Sequence, residues 1–102
     1  MAVTLATCPQ KSLAEGFTGA EFLQQSTQEQ RGYVSTQLVM ASSIAARIKP
    51  SLAECIGRVF FDGSGLSDQG FDMVLARIEE FKAYHPSSVI VVVIESQCEP
   101  FN

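Results

Sequence analysis

Apolar and polar positions along this chain recur with helical period over most of its length. Residues 1–16 carry neither period nor cap and are expected to form an irregular N-terminal segment. Thr18-Gly-Ala-Glu21 has the S/T-x-x-E form of a capping box and precedes Phe22 and Leu23, which predicts a short helix from Gly19 to Gln25. Thr27-Gln-Glu-Gln30 repeats the signal and opens a long helix running to Ile48. Val34, Leu38, Ala41, Ala45 and Ile48 share one face of it, while Tyr33, Met40 and Ile44 add a second apolar edge. A helix patterned this way is expected to be covered on two sides. Gly32 inside it costs about 1 kcal/mol relative to Ala, which predicts close packing or a bend there. Lys49-Pro50 ends the helix, because proline removes a backbone donor and restricts the residue before it.

Ser51-Leu-Ala-Glu54 offers a third capping box, leading into one or two turns that carry Cys55. Residues 57–67 are expected to be a loop, centred on Asp62-Gly-Ser-Gly65. Ser67 then caps an amphipathic helix over 68–85, with Phe71, Val74, Leu75, Ile78 and Phe81 inward and Asp72, Arg77, Glu80 and Lys82 toward water. His85-Pro86 closes that helix, so His85 is expected at the negative end of its dipole.

The last element, Val89 to Gln97, carries a conflict. Val89-Ile-Val-Val-Val-Ile94 is wholly β-branched, which local propensity reads as a buried strand. Paired with Ile56 to Phe61, it would make an α+β fold with a C-terminal βαβ unit, and Asp62-Gly-Ser-Gly65 would be a phosphate loop. No G-x-G-x-x-G or following Lys supports that loop, and two parallel strands are too few for an independent sheet. The competing reading is a wholly buried helix capped by serine and sealed by Cys98, since burial overrides the small helical penalty of such residues. The sequence therefore predicts an all-α, single-domain bundle of four to five helices over 17–98, with a tail at 99–102.

Composition narrows the function more than it defines it. A chain of 102 residues that is 46% hydrophobic folds as one domain and is not disordered. Seven Lys and Arg against 11 Asp and Glu give a net charge of −4, which disfavours nucleic-acid partners. No apolar run is long enough to insert into a membrane. Met1 to Cys8 lacks the basic residues and apolar length of a signal peptide.

Cys8, Cys55 and Cys98 form no C-x-x-C pair, which argues against zinc-ribbon and thioredoxin-type sites, and no metal or cofactor is predicted. Three buried thiols in a cytoplasmic protein are one reading; one bridge with a leftover cysteine is another. A Cys55–Cys98 closure would span about forty residues and contribute roughly 4 kcal/mol. Catalytic groups are sparse. Ser64 lies between glycines without a strand-to-helix elbow, Asp68 and Asp72 sit one turn apart, and His85 is the sole histidine.

The order Phe17-Thr-Gly-Ala-Glu-Phe-Leu23, Gln30-Arg-Gly-Tyr-Val34, Cys55-Ile56, Phe81-Lys-Ala-Tyr-His-Pro86, an aliphatic run and Cys98 resembles the Tai-type immunity domains of the type VI secretion system. These are small, all-helical periplasmic proteins that neutralise peptidoglycan amidases. More distantly the order is similar to HdeA-type periplasmic acid-stress chaperones. The resemblance covers residues 17–98 and implies a Cys55–Cys98 bridge, export, Tyr33 and His85 as helix-end residues, and non-catalytic binding to a protein partner. Eleven acidic residues are too few to favour the acid-chaperone alternative.

An inhibitor presents a loop on a rigid scaffold, and the segment carrying Arg58, Phe60, Phe61, Asp62 and Ser64 mixes the aromatic and charged groups that anchor interfaces. The competing role for Phe60 and Phe61 is to fill the core. The second apolar edge of the long helix predicts a homodimer with Val39 and Met40 near its contact face. Alternatively residues 1–16, with Val3, Leu5 and Leu13, fold back over that edge.

Overall fold

The same device starts the first two helices. Thr18 and Glu21 exchange reciprocal hydrogen bonds at the head of α1 (Gly19–Leu23), and Ser26 and Glu29 do so at the head of α2 (Thr27–Ile48). The computed structural model describes residues 16–102. Expectations placed on Cys8 and on the fold-back of Val3, Leu5 and Leu13 lie outside those residues. The chain continues through α3 (Pro50–Phe60), a hairpin of β1 (Phe61–Asp62) and β2 (Gly65–Leu66), α4 (Asp68–Glu80) and α5 (Pro86–Gln97). The all-α expectation holds, with five helices and one two-stranded ribbon among the described residues.

Several boundaries differ from the pattern reading. α1 stops at Leu23 because buried Gln30 turns its side-chain amide onto the last carbonyls, donating to Phe22 O at 3.2 Å and Leu23 O at 3.4 Å. The N-cap of α2 is Ser26 rather than Thr27, since only Ser26 has a carboxylate three positions on. Ser51 and Glu54 form no capping box. Lys49 takes the cap position without a side-chain bond, and Pro50 fills the first turn, where its missing N–H costs nothing. α3 then runs three turns, so Arg58 and Phe60 are helical and the expected loop shrinks to the hairpin.

α4 ends at Glu80, and His85 belongs to the next helix. Its Nδ1 accepts from the Ser87 backbone N–H at 3.2 Å as the N-cap of α5. The ring therefore sits at the positive end of a helix, the reverse of the sequence expectation.

α5 overturns the βαβ alternative. Val89, Ile90, Val93 and Ile94 are buried, two pairs one turn apart. At about 1.5–3 kcal/mol for each buried side chain, they outweigh a propensity penalty of about 0.5 kcal/mol per β-branched residue. α5 packs on α4 and α2, which offer side chains rather than a sheet edge. Phe22, Val34, Leu38, Leu52, Ile56, Phe60, Val74 and Ile78 complete the core between the helices.

The C-terminal end of α5 is stapled to the body. Cys98 pairs with Cys55 of α3 across a Cα–Cα distance of 5.9 Å. Around the bridge, the Lys49 ammonium donates to the Pro100 and Asn102 carbonyls at 2.8 and 3.2 Å, and the Ser51 hydroxyl donates to Glu99 at 2.8 Å. Glu95 accepts from the Phe101 backbone N–H at 3.1 Å.

Two glycines separate by environment. A Cβ on Gly70 would lie 2.6 Å from the Phe60 carbonyl oxygen, whereas one on Gly32 meets nothing within 4 Å. Close packing at Gly32, expected from the sequence, is therefore absent among the described residues. Gly70→Ala is expected to destabilise the fold by about 1–3 kcal/mol, and Gly32→Ala to stabilise it by about 0.5–1 kcal/mol. Paired urea titrations check both; shifts of the same sign would contradict this packing.

Candidate partner-binding site

The hairpin between α3 and α4 is built from both ends. At its base, the Phe60 carbonyl accepts from the Ser67 backbone N–H at 3.0 Å and from the Ser67 hydroxyl at 3.1 Å. That hydroxyl also accepts from Gly70 N–H at 2.9 Å, so one serine closes the hairpin and caps α4. The glycine at position 70 is what lets the backbone of Phe60 approach this closely.

At the tip, Phe61 pairs with Leu66 and Asp62 with Gly65, leaving Gly63 and Ser64 as the turn. Gly65 has φ 111°, a conformation that L side chains resist. The Asp62 carboxylate accepts from Ser64 N–H at 2.8 Å and from its hydroxyl at 2.9 Å. These bonds, the backbone one foremost and with Arg31 adding its charge, hold the Asp62 carboxyl below its ordinary value against a small opposing desolvation. The lock is therefore complete above the usual carboxylate range and is lost only as pH falls through the lowered folded value.

A long-range anchor supports the ribbon. Arg31 of α2 donates to the Leu66 carbonyl at 2.9 Å and to Asp68 at 3.1 Å, with its guanidinium 5.0 Å from the centre of the Phe71 ring.

Of the residues the sequence singled out, Asp62 and Ser64 stand exposed at the tip, Phe61 is half-buried beside them, and Arg58 is exposed on the last turn of α3. Phe60 is fully buried and presents nothing to a partner. Its phase explains this: it follows Leu52 and Ile56 at four-residue intervals on the inward face of α3. The phosphate-loop reading also fails on chemistry. The Ser64 N–H that an anion would need is taken by Asp62, itself negative.

The catalytic candidates are dispersed. The Ser64 hydroxyl is bound to Asp62, whereas His85 Nδ1 lies 2.9 Å from the Ser87 hydroxyl, and Asp68 is paired with Arg31. Among the described residues no three His, Cys, Asp or Glu side chains converge as a metal site.

Sequence reasoning missed an aromatic cluster. Phe17 stacks edge-on against Tyr33 at 5.6 Å and His85 at 5.5 Å, and Phe22 meets Tyr33 at 5.5 Å. Burial raises the Tyr33 pKa, with the Ser87 side chain opposing. Tyr33 lies well inside α2 rather than at its end, and His85 is the N-cap of α5.

A second surface flanks α5. A groove of about 500 Å³ separates it from α2, floored by Ala41, Ile90 and Ile94. Another of about 300 Å³ lies between Phe81, Tyr84, Val89 and Val92. No protein-family model matches the chain, and no curated protein or solved structure matches it either.

Proposed function

We propose that this is a non-catalytic, periplasmic protein-binding domain of the immunity or inhibitor type, which contacts a peptidoglycan amidase effector through the hairpin tip and Arg58. The observation that carries this reading is the pre-ordering of the tip. Asp62 fixes the turn from within, Ser67 closes its base, and Arg31 ties β2 to the longest helix. A loop already held in its bound shape loses little entropy on docking, which is how small inhibitors gain affinity. The exposed Asp62 carboxylate and Arg58 guanidinium supply opposite charges for register. A disulfide between α3 and α5 supports an oxidising compartment.

Inhibition of peptidoglycan hydrolysis tests the reading. The oxidised protein, titrated into type VI amidase effectors, is expected to abolish hydrolysis by one of them at one equivalent. Asp62→Arg is expected to weaken that inhibition at least tenfold while leaving the melting temperature within a few degrees. Undiminished hydrolysis of every amidase at tenfold excess, or full inhibition by the Asp62→Arg variant, would overturn it.

A further inference from the structure

We infer that the outer face of α5 pairs with a second copy of this chain, in an antiparallel contact about a two-fold axis between Val91 and Val92. α5 is the most apolar helix among the described residues, yet Ser88, Val91 and Val92 stand exposed along one stripe of it, which half-buried Glu95 continues at i, i+3, i+4 and i+7. Val91 is 41% exposed and Val92 50%, and across the first groove Met40 and Ile44 of α2 are each 54% exposed. A helix whose exposed stripe is centred on two adjacent valines is normally covered there. This one is flanked by two grooves, and a ridge beside a groove is the shape a self-complementary contact requires.

Area and charge both fit a second copy. With Ile48 next along α2 and with Phe81 and Tyr84 lining the second groove, these side chains leave on the order of 700 Å² in water on the two flanks of α5, close to the roughly 800 Å² per partner of a standard stable interface. Among the described residues, Glu95 is the only charged side chain lining either groove. The midpoint of α5 falls between Val91 and Val92, so an antiparallel copy sets Ser88 of one protomer opposite Glu95 of its partner. A hydroxyl then meets a carboxylate at each end, the two carboxylates stay apart, and the helix dipoles oppose.

This contact is independent of the hairpin. Arg31, which anchors β2, and Met40 project from opposite sides of α2, about half a turn apart at ~100° per residue.

Light scattering of the full chain from 1 to 200 µM tests the pairing. The expected mass is about 22 kDa, twice the 11.1 kDa chain. Val92→Glu is expected to weaken dimerisation at least 100-fold, with the helical circular dichroism unchanged because Val92 already faces water. Ser88→Glu sets like charges across the axis and is expected to weaken it about tenfold or more. It cannot act by unfolding α5, since a carboxylate in the first turn favours the helix. Ser88→Lys meets Glu95 and is expected to tighten the dimer severalfold, and Asp62→Arg to leave the mass unchanged. A mass near 11 kDa throughout, as when residues 1–15 or a different protein occupy the face, overturns the inference. So does a Val92→Glu dimer of wild-type affinity, or a Ser88→Lys variant weakened like Ser88→Glu.

Discussion

Removing the Cys55–Cys98 bridge, by reductant or by Cys98→Ala, is expected to lower stability by about 4 kcal/mol and the melting temperature by roughly 20 °C. The bridge joins α3 to the end of α5 across a separation of 43 residues, so it restricts a large loop of the unfolded chain. A small domain holds only about 5–15 kcal/mol in total, and this one covalent contact accounts for a large share. The loss should concentrate at the end of α5. There the Lys49 and Ser51 contacts to residues 99–102 are exposed and contribute little alone. Urea titration with and without reductant measures the difference. A shift below about 1 kcal/mol would mean that helix packing holds the α3–α5 junction unaided.

Phe60→Ala is expected to cost about 3–5 kcal/mol, against less than about 1 kcal/mol for Arg58→Ala two positions earlier. Phe60 is fully enclosed, and its carbonyl is fixed by two bonds from Ser67 with Gly70 pressed beneath it. The backbone there cannot shift to fill the space an alanine leaves. The same substitution separates core from interface. Below its lowered melting point the variant should inhibit the proposed amidase partner as wild type does, because the ring never reaches the surface. Equal stability losses for Arg58→Ala and Phe60→Ala would contradict the assigned phase of α3.

The elements that were legible are those whose signals lie within a few residues of one another. The Thr18–Glu21 box, the Pro50 break, the Ser67 cap and the stripe Phe71, Val74, Ile78 are all contacts of short sequence range, and each stands where the pattern placed it. The missed features depend on distant partners. Gln30 reads as an ordinary polar helix residue until α1 folds against it, and Arg31 finds Leu66 only when the hairpin closes. The candidate site was half legible. Asp62, Gly63 and Ser64 announce a turn, but Gly57 and the charged Arg58 mask the continuation of α3, so the loop the pattern predicts is too long and takes in a core phenylalanine.

The composition of α5 has a consequence for the chain once it leaves the native state. Val89 to Ile94 is a six-residue, uncharged, proline-free run of strand-forming side chains, held helical only by what surrounds it. Released, it has the composition of segments that stack as cross-β zippers, and nothing within it acts as a gatekeeper. Cys98 lies four residues beyond the run and ties its end to α3, so partial opening still leaves that segment tethered to the body. The bridge thus guards solubility as well as shape. Protein held reduced and warm should be lost to fibrous aggregates at temperatures where the oxidised form stays dispersed.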